Sequence, residues 1–147
     1  MNQLKQLKFF AEFDDLMAEK IIHSCELKEF RVKEVIIEEY QEVAELYILI
    51  EGNVVLGIDI LKKGRIKLDT IHPGQIFSWS AMFPPHISTA YAMATQPVKV
   101  LAMKSAKLMQ MMEDNHTFGY KFMQIISNTL SQRLADTRLH LVNIISI

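Results

Sequence analysis

Between Gly74 and Ala92 the chain reads GQIFSWSAMFPPHISTAYA, a stretch that gathers short hydroxyl side chains, a tryptophan and a histidine between two strand-like runs. Ser78, Ser80, Ser88 and Thr89 can each donate and accept hydrogen bonds. An imidazole at His86 can carry positive charge near neutral pH, and Trp79 offers a flat ring that can stack on a planar ligand or fill the space a ligand would need. Pro84 and Pro85 keep the intervening lip extended. These residue types suit the binding of a small polar or anionic molecule.

They do not suit catalysis. A metal-dependent barrel enzyme needs a His-x-His pair with a nearby Glu and a further His, whereas the strand-rich part holds only His72 and His86. His23, His116 and His140 fall in helical or linking segments. The expectation is a non-enzymatic chain with no metal site and no obligatory cofactor.

Three textures position the stretch. From Leu4 to Cys25 the pattern is helical: Asp14 can cap a helix in which Ala18, Ile21, Ile22 and Cys25 recur at one face. From Phe30 to about Met103 the period becomes two. Leu46, Ile48 and Ile50 alternate with Tyr47 and Leu49, and Val54, Leu56, Ile58 and Ile60 follow in the same manner. Turn signals at Glu51–Asn53, Lys62–Gly64, His72–Gly74 and Thr95–Pro97 have the spacing of an antiparallel barrel or jelly roll, with Gly52 and Gly64 supplying positive backbone angles.

A short helix capped by Ser105 then precedes a long one running from Thr117 to about Ile145. Its stripe of Leu130, Leu134, Leu141 and Ile145, with Met123, Ile126 and Thr137 beside it, approaches a heptad seam. A small barrel can cover only part of so long a helix. The expected partner for the remainder is a second copy of the chain, in a parallel homodimer whose interface takes in Ile126, Leu130, Leu134, Thr137, Leu141 and Ile145. The alternative is a helix folded back on its own barrel. The expected fold is therefore mainly β with flanking helices, a double-stranded β-helix (jelly-roll) barrel in one domain of 147 residues. Residues 1–29 form the N-terminal helices, 30–104 the roll and 105–147 the C-terminal helices.

Half of the residues are apolar, enough for a core without staples, and the formal net charge of -1 gives no field for a nucleic-acid backbone. Cys25 is alone, which excludes an internal disulfide and fits a reducing cytoplasm. No apolar run approaches a membrane span, and the first residues do not read as a signal peptide.

The order of these textures, with LYILIEG (Leu46 to Gly52), HPGQIF (His72 to Phe77) and QRLADTR (Gln132 to Arg138), resembles the cyclic nucleotide-binding domain family. Within it, the chain is most similar to the sensor domains of bacterial regulators of the cyclic AMP receptor protein type. The resemblance implies a ligand-binding segment that in the family reads like F-G-E-L-A, a variable gap, then P-R-A-A/S-T. There a short helix receives the cyclic phosphate, the arginine adds a forked cation and the glutamate accepts from the ribose. Here Phe77 and Ala81 keep their places. Ser78 stands for the glycine, Trp79 for the glutamate, Ser80 for the leucine, His86 for the arginine and Thr89 for the threonine.

Both charged groups are absent, and losing two charge-assisted contacts of roughly 1.5–3 kcal/mol each would weaken a cyclic nucleotide by about two to four orders of magnitude. By the same resemblance, Arg133 and Thr137 on the long helix occupy positions that approach the base of the nucleotide; apart from it, Arg133 reads as a solvated charge. The family's regulators continue into a winged helix-turn-helix domain beyond the point where this sequence ends, so no direct DNA binding is expected of these residues. Two functions follow as expectations. One is a cytoplasmic small-molecule sensor binding a cyclic nucleotide or another small anionic effector between Phe77 and Thr89, the other a ligand-free dimerisation or interaction module with Trp79 filling the pocket.

Overall fold

The computed structural model describes residues 2–146. A short helix α1 (Asn2–Lys5), a 3-10 segment (Lys8–Glu12) and helix α2 (Asp15–His23) open the chain. The one helical layer expected from Leu4 to Cys25 is thus broken into three pieces. Asp14 caps α2 as its type predicts, accepting from the Met17 N–H at 2.8 Å. Ala18, Ile21 and Ile22 are buried along its inner face, and Cys25, two residues beyond the helix, packs at the edge of the same cluster.

Eight strands follow: β1 (Glu26–Phe30), β2 (Val35–Ile37), β3 (Glu45–Glu51), β4 (Val54–Ile60), β5 (Gly64–Ile71), β6 (Ile76–Phe77), β7 (Tyr91–Ala94) and β8 (Val98–Lys104). They form two four-stranded antiparallel sheets, ordered β1-β8-β3-β6 and β2-β7-β4-β5, which is the jelly-roll arrangement the turn spacing predicts. Gly52, Gly64 and Gly74 all take positive φ in the turns. The first strand begins before Phe30, inside the segment assigned to helices, because its sequence ELKEF carries charges on both rows and leaves Leu27 exposed, so no apolar alternation marks it.

The alternation in β3 separates two apolar layers rather than core from solvent. Leu46 and Ile48 join Leu101 and Met103 of β8 in a cluster roofed by helices, while Leu49 and Val100 face the roll interior with Ile71 and Phe77. The register Ile48↔Leu101 and Leu49↔Val100 keeps the two layers in step.

Helix α3 (Ser105–Asp114) has Lys104, not Ser105, at its N-cap position, and no side chain caps it; Ser105 is the first helical residue and its N–H goes to the Ala44 carbonyl at 2.9 Å. Asn115 ends α3 and caps α4 (His116–Ile145), accepting from the Phe118 N–H at 3.1 Å. The start of α4 is buried: Phe118, Phe122 and Ile126 pack onto Phe9, Phe10 and Phe13 around the helical side of the core.

Cys25 is positioned by this packing. Its thiol donates to the Ile21 carbonyl at 3.1 Å, and burial pushes its pKa up to about 12. Because the folded-state pKa is raised, its contribution to stability is complete below the unfolded thiol's value and is lost as the pH rises toward the folded one. We expect iodoacetamide at about pH 9 to leave Cys25 unmodified in the native chain and to alkylate it readily in urea, where an ordinary thiol titrates near 8.5. Mass spectrometry of the two reactions reads the difference.

Candidate functional site

The site is built from β6 outward. Tyr47↔Phe77 and Ile48↔Ile76 fix β6 against β3, and Phe77 points into the roll interior with full burial. The next residue, Ser78, takes a left-handed backbone (φ 66°, ψ 33°), an arrangement that costs a residue other than glycine about 1–2 kcal/mol. Its hydroxyl offsets part of this cost by donating to the Glu45 carbonyl at 2.7 Å. The turn sends the chain into a four-residue 3-10 helix, Trp79–Met82, in which Ala81 and Met82 are buried.

Beyond the two prolines, His86 also has positive φ and is tied down on three sides. Its N–H donates to Phe83 O at 2.8 Å, its carbonyl accepts from Val43 N at 2.8 Å, and its Nδ1–H donates to Ala81 O at 2.9 Å. Ser88 is buried and its hydroxyl donates to Ala90 O at 2.6 Å. Ser80 and Thr89 have no side-chain hydrogen bond among the described residues.

Ser78, Trp79, Ser80, Ser88 and Thr89 converge on one cavity, closed on the far side by Ile37, Leu56 and Ala92, with a volume of about 20 Å³. That is room for about one water. No charged side chain lines it. Trp79 forms part of its wall: partly buried, it packs against both apolar clusters, bridging the helical side of the core and the roll interior.

Residues 27–115 match the family model of the cyclic nucleotide-binding domain. The chain belongs to that family. A candidate cyclic nucleotide-binding protein of Geobacter metallireducens is 30% identical, with 90% of this chain and 96% of that one covered at a TM-score of 0.77. Two more distant structures share the fold. The catabolite activator protein of Thermus thermophilus is 17% identical, with 92% of this chain covered but 63% of that one, at a TM-score of 0.76. The sensor domain of the transcriptional regulator DNR of Pseudomonas aeruginosa is 16% identical, with 91% and 90% covered, at 0.72. No curated protein matches the chain.

In this cyclic nucleotide-binding domain the side chains of Ser78, His86 and Ser88 are each hydrogen-bonded to a backbone carbonyl. His86, in the arginine's place, is not on the cavity wall, and neither are Arg133 and Thr137. Arg133 is not a solvated charge either. Its side chain is 12% exposed, and its Nη1 donates to Asp69 Oδ2 at 2.5 Å and to Thr70 O at 3.4 Å, while Nη2 donates to Gln75 Oε1 at 3.2 Å. Sequence reading missed this because Asp69 and Arg133 are too far apart in the chain for any local pattern to couple them; the pairing follows only once α4 lies across β5.

Of the expected seam residues, Leu130, Leu134, Thr137, Leu141 and Ile145 are exposed along α4, as are Leu139, Val142 and Ile144. Ile126 is 1% exposed inside its own chain's core and is not available to a partner. The described residues contain no cluster of three or more His, Cys, Asp or Glu side chains that could hold a metal ion, and no helix long and apolar enough to cross a membrane.

The left-handed turn at Ser78 gives a direct check on the site's architecture. Ser78→Ala keeps the backbone cost and loses the bond to Glu45, so chemical denaturation should show a loss of about 1 kcal/mol. Ser78→Gly loses the same bond but relieves the backbone, and should unfold within about 0.5 kcal/mol of the parent.

Proposed function

We propose that this domain is a non-enzymatic regulatory module of the cytoplasm whose roll pocket is closed to cyclic nucleotides by Trp79 and which acts through a homodimer formed by α4. The observation that carries this reading is the cavity of about 20 Å³ between Trp79 and Ser88. Sites for small organic ligands occupy about 300–1,000 Å³. The absence of a charged group on the wall and the engagement of His86 with Ala81 O support it further. The formal net charge of -1 argues against a role in binding nucleic acid directly.

A second reading has one observation in its favour. Ser80 and Thr89 line the cavity and their hydroxyls have no hydrogen-bond partner among the described residues, as in the wall of a pocket for a small anionic effector. In that case Phe77 to Ala81, His86, Ser88 and Thr89 form a sensor site that opens when Trp79 swings out, and Thr137 or Arg133 reports occupancy to the helix. Calorimetry separates the two. The parent should give no saturable heat with cyclic AMP, cyclic GMP or a panel of small anions at millimolar concentration, and a saturable isotherm with any of them that is lost in Trp79→Ala and His86→Ala would establish the sensor instead.

The dimer rests on the exposed stripe. Leu134 is 52% exposed in the single chain, and the stripe continues past it to Ile145. In a parallel pair the twofold axis places each Leu134 near its counterpart, so Leu134→Glu puts two unpaired carboxylates at one apolar contact. Sedimentation should find the parent dimeric at tens of micromolar and the variant monomeric, with the roll still folded by circular dichroism. A parent that sediments as a monomer refutes the dimer, and a dimeric variant refutes this choice of helix face.

A further inference from the structure

A second concavity lies outside the roll. A cleft of about 370 Å³ opens between the N-terminal 3-10 segment, the His72–Gln75 turn and the side of α4 that carries Ile125, Asn128 and Arg133. Its volume lies in the range of small-ligand sites, and its walls combine an apolar floor with convergent polar groups. Phe9, Ile76 and Ile125 supply the floor.

Two of its walls are rigid. Gly74 takes φ +90° with Lys8 so close that a Cβ there would lie 3.1 Å from the Lys8 nitrogen, which seats the N-terminal segment directly on the turn. Across the cleft, Gln75 Oε1 accepts from His72 N at 2.8 Å and from Arg133 Nη2 at 3.2 Å. Its amide NH2 is left as a donor.

The polar groups are short of acceptors. Arg133 Nε is buried and has no hydrogen-bond partner among the described residues, although Nη1 and Nη2 both have partners. Lys8 forms no ion pair among the described residues, and the Asn128 side chain has no partner there. The wall carries two cations, Lys8 and Arg133, against one acid, Glu12. Asp69 stands behind the guanidinium, off the wall, and would repel a second negative charge. A single carboxylate with an apolar body matches this surface better than a dianionic phosphate does.

We propose that the cleft binds a small amphipathic monocarboxylate. Its carboxylate would lie toward Lys8 and the Gln75 amide, its apolar part on Phe9, Ile76 and Ile125. The site is separate from the roll pocket and does not depend on whether Trp79 closes that pocket. A ligand there touches the N-terminal segment, the roll and α4 together, and so bears on how firmly the long helix is held.

The test is amide NMR on the full chain titrated with sodium octanoate, with acetate as a carboxylate lacking the apolar body and inorganic phosphate as the dianion. Octanoate should produce saturable shifts at Gly74, Gln75, Asn128 and Thr129. Lys8→Glu, a substitution at an exposed position, should weaken it by about tenfold or more, the loss of one charge-assisted contact. Acetate and phosphate should be weaker than octanoate by at least a similar factor, and Trp79→Ala should leave octanoate unaffected. Shifts confined to the exposed stripe of α4, a response indifferent to Lys8→Glu, or phosphate binding as tightly as octanoate would each overturn the proposal. So would a cleft that responds only in the Leu134→Glu variant, since a second copy of the chain would then be its occupant.

Discussion

Strand β3 has no wet face over most of its length, and the organisation of the domain follows from that constraint. Leu46 and Ile48 must meet apolar partners on one side, Leu49 on the other, and every one of them is fully buried. One side is answered by the helices, through Phe9, Ile21, Phe118 and Phe122, and the other by the interior of the roll. A strand in that position must lie at the centre of its sheet, and β3 is flanked there by β8 and β6. Because β6 pairs with β3, the segment that follows it emerges where the two apolar layers meet. Trp79 sits at that junction and touches both.

The path of the segment from Ser78 to Ser88 is held by hydrogen bonds within the chain. Ser78 keeps a backbone conformation that glycine adopts without cost, stabilised by a hydroxyl bond to β3 that glycine could not make. His86 keeps its place through bonds to Phe83, Val43 and Ala81. A phosphate-binding loop ordinarily leaves donors free for its anion. Here the side-chain donors at Ser78, His86 and Ser88 are turned to backbone carbonyls.

The parts of this architecture set by local chemistry were legible in the sequence. The cap at Asp14, the alternation in β3, the turn glycines and the length of α4 each follow from residue types within a few positions of one another; in β4 the expected row of Val54, Leu56, Ile58 and Ile60 does not stay inside, since Val55 is buried and Ile60 exposed. Three features were not legible, for related reasons. Strand β1 carries charges on both rows and has no period to read. The division of labour along α4, with Ile126 inward and Leu130 outward, depends on where the roll ends, which helical periodicity cannot report. The Arg133–Asp69 pair joins residues that meet only in the finished fold. In the candidate site, the residue types foretold a cluster of hydroxyls around Trp79, but how much space remained among them was a matter of packing.

That pair also marks where α4 changes character. Before it, Phe118, Phe122 and Ile126 bind the helix to its own chain through apolar burial; after it, Leu134, Leu139, Leu141, Val142, Ile144 and Ile145 are exposed. Arg133 lies at the boundary with 12% of its side chain exposed and Asp69 with 18%, so neither charge is well hydrated and each depends on the other. Removing one member of such a pair leaves the other desolvated, at a cost of about 3–5 kcal/mol, more than the pair contributes over an apolar substitute. An interaction of this kind adds little net stability but ties one face of the helix to β5. The apolar burial of Phe118, Phe122 and Ile126 and the bond from Arg133 to Asp69 together hold the helix against its own chain and leave the stripe on the outer side.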